Sequence, residues 1–332
     1  MILARRIELM ARLGSYMLSD DPAWILVREM ASQRNPWFTP EFVTLAVRQI
    51  GTRYLQAAAL NNWVSGYPLN PSGQAGRRIG LVMAGNIPLV GFHDFLCVFL
   101  SGHSLLYKPS SRDEVLIRHL AEKLVEWEPE AGNRVQTAEM LRECDAYIAT
   151  GSNNTAGYFD YYFRKYPHII RRNRTSVAVL SGSESPEELS LLADDVYQYF
   201  GLGCRNVTKV YVPEGYDFIP LLRAFDRYNY LADYHKYKNN YDYNLAILIL
   251  NKKPYMSNAS LLLVEEASPF SPIGQLHYER YPEAGNLLVR LRESDAIQCV
   301  VGAGGVPFGS AQHPALSDYA DGIDTLQFLS SL

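Results

Sequence analysis

The sequence predicts an α/β protein of two domains, each with an open, mostly parallel sheet flanked by helices, after a helical N-terminal lead-in. Short apolar runs alternate with segments of helical periodicity along most of the chain, which is typical of parallel strands joined by helical crossovers. The length of 332 residues exceeds what a single hydrophobic core usually holds, and this favours two domains.

The first 66 residues predict helices only. Apolar residues recur at helical spacing from Ile7 to Met17, and Thr39-Pro40-Glu41 is typical of a helix start. A cluster of turn-forming residues at 68–73 then ends this lead-in. We therefore expect a helical segment at 1–66 and a new domain core beginning after it.

Beyond this turn, strand-like and helix-like segments alternate. The predicted strands are Arg78–Ala84, His103–Tyr107, Ala146–Thr150, Ser176–Leu180, Val207–Val212, Leu245–Leu250, Leu261–Glu265 and Ile297–Val301. The predicted helices are 90–100, 113–127, 154–165, 186–200, 216–231 and 283–293. We expect one domain at 67–174, to which 307–332 returns, and a second at 175–306.

Composition narrows the classes of function. The formal net charge of -4 gives no electrostatic footprint for nucleic acid or an anionic membrane, so we expect a small-molecule partner. No uncharged run is long enough to span a bilayer, and the charged first ten residues do not resemble a signal peptide, so we expect a cytoplasmic protein. The four cysteines are widely spaced and show no C-x-x-C pattern, which predicts neither a disulfide framework nor a metal site.

Cys204 is the strongest candidate nucleophile. It follows the glycine-containing turn Gly201-Leu202-Gly203 and precedes a predicted strand, so its thiol would be presented rather than packed. A buried, inert thiol is the alternative interpretation. Cys97 and Cys299 lie within apolar runs and are better candidates for inert core, whereas Cys144 is undecided.

Three loops follow predicted strands, at the sheet edge where open α/β proteins bind ligands. Asn86 in the first loop is a candidate oxyanion donor or a simple helix cap. The second loop offers candidates for a nucleotide ribose or phosphate, or is a solvated surface: Lys108, Ser110, Ser111 and Arg112. Gly151 and Ser152 in the third loop are candidates for contacting a pyrophosphate.

Two further segments have unusual composition. Five cations lie within eleven residues and predict a solvated face or, alternatively, a site for a phosphate-bearing ligand such as coenzyme A: Arg164, Lys165, Arg171, Arg172 and Arg174. Six tyrosines within 228–243 predict an insertion or contact surface: Tyr228, Tyr230, Tyr234, Tyr237, Tyr241 and Tyr243.

The order of these motifs resembles the aldehyde dehydrogenase superfamily, and specifically its acyl-CoA reductase branch of the bioluminescence fatty-acid reductase type. The matching segments are Asn86-Ile87-Pro88-Leu89 to N-F-P-L, Lys108-Pro109-Ser110 to the K-P stretch, Thr150-Gly151-Ser152 to T-G-S, Gly201-Leu202-Gly203-Cys204 to G-Q-x-C, Glu265-Glu266 to the ribose-binding E-E-I-F-G-P, and Pro307-Phe308-Gly309 to P-F-G. The resemblance implies Cys204 and Asn86 as catalytic residues and adds Glu266 to the cofactor-binding set.

The departures from the family pattern matter equally. Where aldehyde dehydrogenases have E-L-G-G-K-S-P with its general-base glutamate, this chain has a stretch from Ile170 to Ser176 without an acidic residue. Loss of the base that activates water fits transfer of an acyl group to or from a thiol. Ser111 and Arg112 replace the usual acidic residue after K-P-x, which favours NADPH, with NADH possible.

The resemblance thus implies NAD(P)H-dependent reduction of an acyl-CoA, or another acyl thioester, to an aldehyde through a Cys204 acyl-enzyme. Coenzyme A enters as part of the substrate, and a homodimer or a partner acyl-transfer enzyme is possible. Two alternatives stay open. One is a cysteine acyltransferase or thioesterase without hydride transfer, and the other is a non-catalytic scaffold that keeps the fold.

Overall fold

The computed structural model of the chain describes residues 1–69, 76–151 and 153–332. Its helices are α1 Leu3–Met17, α2 Pro22–Arg34, α3 Pro40–Gln49, α4 Ala57–Val64, α5 Phe92–Ser101, α6 Glu114–Trp127, α7 Asn153–Phe163, α8 Pro186–Tyr197, α9 Ile219–Phe225, α10 His235–Leu250, α11 Ala284–Arg292 and α12 Thr325–Ser330. Its strands are β1 Arg78–Val82, β2 Ser104–Lys108, β3 Val135–Thr137, β4 Ala146–Thr150, β5 His168–Arg171, β6 Thr175–Val179, β7 Val207–Pro213, β8 Met256–Ser257, β9 Leu262–Glu265, β10 Gln275–Tyr281 and β11 Ile297–Gly302. Most of the predicted turn at 68–73 lies outside the described residues.

Several helices begin where the sequence provides a cap. Ser185 caps α8 in a reciprocal capping box with Glu188. Thr39 caps α3 by accepting a hydrogen bond from the Phe42 N–H, as the Thr39-Pro40-Glu41 signal predicts. Side-chain oxygens at these positions satisfy N–H groups that have no partner within the helix, so the chain enters each helix at a defined residue.

The first unit, Met1–Asn173 with Ala315–Leu332, is built on a parallel sheet with strand order β3-β2-β1-β4-β5. The chain builds outward from β1 through β2 to β3 and then returns to the other side of β1 for β4. In open α/β sheets such a reversal of strand order places a crevice at the carboxyl ends of the strands, here between β1 and β4. Helices α1 to α4 share this unit's core, where Met10 and Trp24 are buried in the same cluster as Ile79 of β1.

The second unit, Arg174–Pro314, has the strand order β11-β6-β7-β10-β9-β8, parallel except for the β8–β9 pair. Strand β10 lies in its middle and was missed in the sequence because His277, Glu279 and Arg280 interrupt the apolar pattern. All three side chains find partners in the structure. His277 contacts the Ser268 carbonyl, Glu279 accepts a hydrogen bond from Lys209, and Arg280 pairs with Glu265 of the neighbouring strand. Strands β3, β5 and β8 were also missed.

The predicted strand Leu245–Leu250 is wrong, since these residues form the last part of α10. The continuous apolar run fits either a buried strand or a helix, and the periodicity cannot separate the two. The predicted helix 216–231 is shorter than expected, because α9 ends at Phe225 and a 3₁₀ segment, Asp226–Asp233, follows it.

The predicted α/β class, with mostly parallel sheets flanked by helices, is confirmed. Residues 307–314 lie in the second unit, where Asp195 of α8 accepts hydrogen bonds from the N–H groups of Gly309 and Ala311. The predicted domain boundaries themselves stay a prediction. Within the described residues, no helix combines the length and the apolar character needed to cross a membrane.

Candidate active site

Cys204 lies in a turn between α8 and β7 and is half-buried. The backbone before it is left-handed at three consecutive residues, Tyr199 (φ 53°), Phe200 (φ 57°) and Gly201 (φ 73°). For the two non-glycine residues this conformation costs on the order of 1 kcal/mol or more each. Packing offsets this cost, since both side chains are buried and the Phe200 ring stacks on Tyr234. The direction of the chain is therefore fixed just before the cysteine.

Asn206 closes the Cys204 turn from inside the protein. Its side chain is fully buried, and its Oδ1 accepts a hydrogen bond from the Gly203 N–H at 2.8 Å. Its Nδ2 donates to the carbonyls of Gln198 at 2.7 Å and Asp195 at 3.1 Å. One side chain thus fastens the cysteine turn to the end of α8 and to the 3₁₀ segment that follows it.

Ser176 of β6 holds the turn from the neighbouring strand. Its hydroxyl donates to the Cys204 carbonyl at 3.0 Å and accepts a hydrogen bond from the Cys299 N–H at 3.2 Å. The sulfur of Cys299 lies 3.1 Å from the same hydroxyl oxygen. Neither Ser176 nor Asn206 carries a carboxylate, so the side chains that fix this turn bring no general base to it.

The expected core position of Cys299 is wrong, since Cys299 is half-buried, at a place where the pairing of β11 with β6 is irregular between Ile297 and Val300. That its thiol is inert stays a prediction. Cys97, by contrast, is fully buried in α5 as expected, and Cys144 is also buried.

Asp195 is a residue that the sequence reasoning missed. Its buried carboxyl group accepts hydrogen bonds from the N–H groups of Gly309 at 2.6 Å and Ala311 at 2.9 Å, while its backbone carbonyl accepts one from Asn206. Burial raises the pKa of Asp195 to about 7, and the two N–H donors oppose this rise. The sequence signal that could have identified Asp195 is an acidic residue at a position of α8 where the helical pattern places apolar side chains. The P-F-G segment and the Cys204 turn are therefore attached to one residue.

Glu266 lies directly after β9. Its carboxylate accepts hydrogen bonds from the Lys253 ammonium and the Ala267 N–H. The Lys253 hydrogen bond, together with the backbone donors, lowers the pKa of Glu266 to about 2. The carboxylate is thus ionised and already engaged, so a ribose at this position would have to share it with Lys253.

In the first unit, the structure brings three of the predicted loops to the same sheet edge. Asn86 follows β1, Lys108 ends β2, and Gly151 follows β4; the three strands are neighbours in register, with Val82 paired to Lys108 and to Ala149. The loops after β1 and β2 also touch. A Cβ atom added at Gly85 would lie 2.6 Å from the Ser110 Oγ, so only glycine fits there.

Asp113 supports the loop that carries Asn86. The carboxyl Oδ2 of this buried residue accepts a hydrogen bond from the Leu89 N–H at 2.7 Å, where Leu89 has a left-handed backbone with φ 56°. Burial raises the pKa of Asp113 well above its ordinary value, and its Oδ1 is buried without a hydrogen-bond partner. Asn86 itself is half-buried at this loop.

The remaining cofactor candidates differ in exposure. Lys108, Ser111 and Arg112 are exposed, whereas Ser110 is half-buried and its Oγ accepts a hydrogen bond from the Arg112 N–H. Ser152 lies outside the described residues. Lys108 and Arg112 thus place two exposed cations in the loop that follows β2.

The cationic run is not one solvated face. Arg171 is buried and donates to both carboxylate oxygens of Asp94, at 3.0 and 2.7 Å, and to Thr325. Burial alone would raise the pKa of Asp94, but the Arg171 guanidinium holds it below its ordinary value. Arg172 forms an exposed ion pair with Asp160. Arg171 is therefore a structural cation rather than a phosphate ligand.

The tyrosine-rich segment is not a single surface either. Tyr228 and Tyr237 are buried, and Tyr228 stacks on Tyr197 with ring centroids 4.7 Å apart. Tyr230 and Tyr243 are exposed. Part of the segment therefore completes the core behind α8. Within the described residues, no group of three or more potential metal ligands is arranged to hold an ion.

No protein-family model matches the chain, and no curated protein matches it. Solved structures of aldehyde dehydrogenases do match its fold. Aldehyde dehydrogenase 21 from Physcomitrella patens, in complex with the reaction product succinate, has a TM-score of 0.69 at 12% identity and covers 100% of this chain and 84% of its own. An aldehyde dehydrogenase from Mycobacterium tuberculosis complexed with NAD+ has a TM-score of 0.64 at 13% identity, covering 87% and 70%.

A putative aldehyde dehydrogenase from Burkholderia cenocepacia gives a TM-score of 0.65 at 11% identity, covering 91% of this chain and 74% of its own. At such identities the likeness establishes the fold and nothing further. The chain thus has an aldehyde-dehydrogenase-like fold, and its activity is inferred from its own residues.

Proposed function

We propose that this protein is an NAD(P)H-dependent oxidoreductase that reduces an acyl thioester, such as an acyl-CoA, to an aldehyde through an acyl-enzyme on Cys204. The observation that carries the proposal is the Cys204 turn. A half-buried thiol follows a strained left-handed backbone, and Asn206 and Ser176 hold it in place within an aldehyde-dehydrogenase-like fold. Strain that buried contacts maintain at a turn is typical of a functional site.

The chemistry follows from the thiol. The Cys204 thiolate attacks the thioester carbonyl, the new C–S bond forms, and the C–S bond to coenzyme A breaks, so that coenzyme A leaves as a thiol after taking up a proton. A bound nicotinamide would supply hydride to this acyl-enzyme. Collapse of the resulting thiohemiacetal breaks the bond to Cys204, releases the aldehyde and regenerates the cysteine.

The absence of a general base in the stretch from Ile170 to Ser176 supports reduction of a thioester over oxidation to a free acid. Arg171 in this stretch is bound to Asp94, and Ser176 contacts the Cys204 carbonyl. A water molecule attacking the acyl-enzyme would need a base to accept its proton. Without one, the acyl-enzyme survives long enough to be reduced.

The first unit supports the dinucleotide. We propose that Lys108, Ser110, Ser111, Arg112 and the loop around Gly151 and Ser152 bind NADPH, or NADH, at the carboxyl edge of β1, β2 and β4. That Glu266 binds the ribose stays a prediction, because its carboxylate already accepts a hydrogen bond from Lys253. Asn86 likewise stays a prediction as oxyanion donor; loss of such a donor typically costs about 10²–10³ in rate.

The test is NAD(P)H consumption with a panel of acyl-CoA thioesters, followed by mass spectrometry of the Cys204 peptide. Cys204→Ala should abolish turnover and the acyl adduct while the protein still binds the dinucleotide. Cys144→Ser, a buried thiol in the first unit, is the matched control and should retain activity.

Three outcomes contradict the proposal. Coenzyme A release at full rate without NAD(P)H would indicate an acyltransferase or thioesterase. An unmodified Cys204 after incubation with acyl-CoA would indicate a scaffold. Turnover by Cys204→Ala at the rate of the native protein would exclude the nucleophile.

A further inference from the structure

Asp113 connects two loops at the carboxyl edge of the first sheet. It directly precedes α6 and thus ends the β2–α6 loop, residues 109–113, where most of the proposed dinucleotide ligands lie. Its Oδ2 accepts a hydrogen bond at 2.7 Å from the N–H of Leu89. Leu89 belongs to the β1–α5 loop, residues 83–91, which also carries Asn86. One side chain therefore joins the loop of Asn86 to the loop of the dinucleotide ligands.

We propose that Asp113 is a positioning residue, which holds the backbone at Leu89 and thereby fixes Asn86 for its role as oxyanion donor. The inference rests on the proposed function, in which the Asn86 amide stabilises the oxyanion formed during acyl transfer. Asp113 does not contact the substrate in this scheme. Its effect on the rate passes through the backbone of residues 86–89.

The backbone that Asp113 holds is strained. Leu89 is left-handed, with φ 56°, and its side chain is buried. A residue other than glycine keeps this conformation only where the surrounding contacts impose it. Two hydrogen bonds contribute here, since the Leu89 N–H donates to Asp113 and the Leu89 carbonyl accepts one from the Phe92 N–H at 2.9 Å. Without the Asp113 carboxyl group we expect the loop to relax and Asn86 to move.

The β2–α6 loop gives Asp113 a fixed position. The Asp113 N–H donates to the Ser110 carbonyl at 3.0 Å, and the Ser110 Oγ accepts a hydrogen bond from the Arg112 N–H. The Arg112 carbonyl in turn accepts one from the side chain of Asn35 at 3.1 Å. The two loops also pack closely, because a Cβ atom added at Gly85 would lie 3.2 Å from the Asp113 Cβ. The β1–α5 loop is therefore held against a rigid neighbour.

Asp113 acts through its shape and its hydrogen bond rather than through charge. The residue is buried, and its Oδ1 has no hydrogen-bond partner among the described residues. Burial raises the pKa of Asp113 well above its ordinary value, and the Leu89 N–H opposes this rise. The uncharged acid is thus favoured, with its proton on Oδ1 while Oδ2 accepts from Leu89. Asparagine has the same shape and offers the same acceptor, so it should replace Asp113, whereas alanine should not.

The full-length protein and its variants are compared by the rate of acyl-CoA reduction and by hydrogen exchange with mass spectrometry. Asp113→Ala should lower kcat at least about tenfold, because a small displacement of a catalytic group is costly. It should also raise exchange in peptides covering 85–92, whereas Asp113→Asn should stay close to the native protein in both measurements.

Asp145→Ala is the matched control. The Asp145 carboxylate also accepts a hydrogen bond from a backbone N–H at 2.7 Å, but its donor is Arg78 at the opposite end of β1. This variant should change neither kcat nor the exchange of residues 85–92. Native kcat and native exchange in Asp113→Ala would overturn the proposal.

A double variant separates positioning from general damage. Asn86→Ala removes the group through which Asp113 is proposed to act, so adding Asp113→Ala to it should lower kcat further by less than about threefold. An equal fold-loss with and without Asn86 would show that Asp113 does not act through Asn86 and would overturn the proposal.

Hydrogen exchange is read without an activity assay, so the two proposals can fail separately. A protein that reduces no acyl thioester, but whose exchange rises in Asp113→Ala and not in Asp113→Asn, would refute the proposed function and support the hold of Asp113 on Leu89. Reduction of acyl-CoA without any such rise would refute this inference alone. Should Asp113→Ala not fold, the native protein decides, because rapid exchange of its Leu89 amide would overturn the proposal and slow exchange would support it.

Discussion

The backbone carbonyl of Asp195 accepts a hydrogen bond from the side chain of Asn206 at 3.1 Å. This contact joins the end of α8 to the turn that carries Cys204. Because the Asp195 carboxyl group also accepts hydrogen bonds from Gly309 and Ala311, the cysteine turn and the P-F-G segment are both hydrogen-bonded to Asp195. The predictions below begin with these two residues.

Replacing Asn206 with alanine should both destabilise the protein and reduce its activity. The change removes the partner of the Gly203 N–H and of the carbonyls of Asp195, Val196 and Gln198, at a cost of about 3 kcal/mol. Urea unfolding measures the loss. Asn61→Ala is the matched control, because the Asn61 side chain is exposed and donates to the Ala57 carbonyl of its own helix; equal destabilisation by both variants would contradict this role of Asn206.

Asp195 should make stability depend on pH in the direction opposite to that of most carboxylates. The pKa of Asp195 is about 7 in the folded protein and 3.8 ordinarily. The contribution of Asp195 to the free energy of unfolding is therefore fully present below pH 3.8 and is lost as the pH rises through about 7. We expect the free energy of unfolding of the native protein to fall across this window relative to Asp195→Asn, which does not titrate. Parallel pH profiles of the two proteins would argue against a raised pKa.

The buried Arg171–Asp94 pair should be far more important for stability than its neighbour on the surface. Asp94→Asn leaves an uncompensated buried guanidinium and should cost about 3–5 kcal/mol. Asp160→Asn breaks the exposed pair with Arg172 and should cost less than about 1 kcal/mol. Thermal denaturation compares the two variants. Arg171 lowers the pKa of Asp94. The pair therefore stabilises the folded protein fully above the ordinary pKa of Asp94, and this stabilisation is lost as the pH falls through the lowered pKa.

Arg112 should set the cofactor preference. If its exposed guanidinium binds the 2′-phosphate of NADPH, Arg112→Ala should weaken NADPH binding about tenfold and leave NADH binding nearly unchanged. Isothermal titration with each dinucleotide measures this ratio. Arg142→Ala, which removes another exposed cation of the same unit, should change neither affinity. An equal loss for NADPH and NADH would assign Arg112 to the pyrophosphate instead.

The sequence was a good guide where one local pattern determines the structure. The strands that became β1, β2, β4, β6 and β7 are short apolar runs bounded by turn residues, and each was placed within a few residues. The pattern failed for Leu245–Leu250, where burial alone does not distinguish helix from strand, and for β10, whose charged residues are satisfied by partners distant in sequence such as Lys209.

For the candidate active site, too, the sequence indicated what depends on neighbouring residues and not what depends on distant ones. Cys204 and its glycine turn were recognisable, because glycine spacing is a local signal. Asp195 was not, since its importance arises from Gly309 and Ala311, more than a hundred residues away. Arg171 was interpreted as part of a charge run for a similar reason: it ends β5, whereas its partner Asp94 lies in α5, 77 residues earlier, and the sequence shows the cation without its counterion.

The left-handed residues before Cys204 limit how this region can be redesigned. Glycine at Tyr199 or Phe200 would relax the backbone, yet it would delete an aromatic ring that fills the interior and would let the following loop sample many directions. A backbone without this strain would thus hold the Cys204 sulfur in a less defined position. Laboratory selection for heat resistance alone should therefore tend to leave both bulky side chains in place.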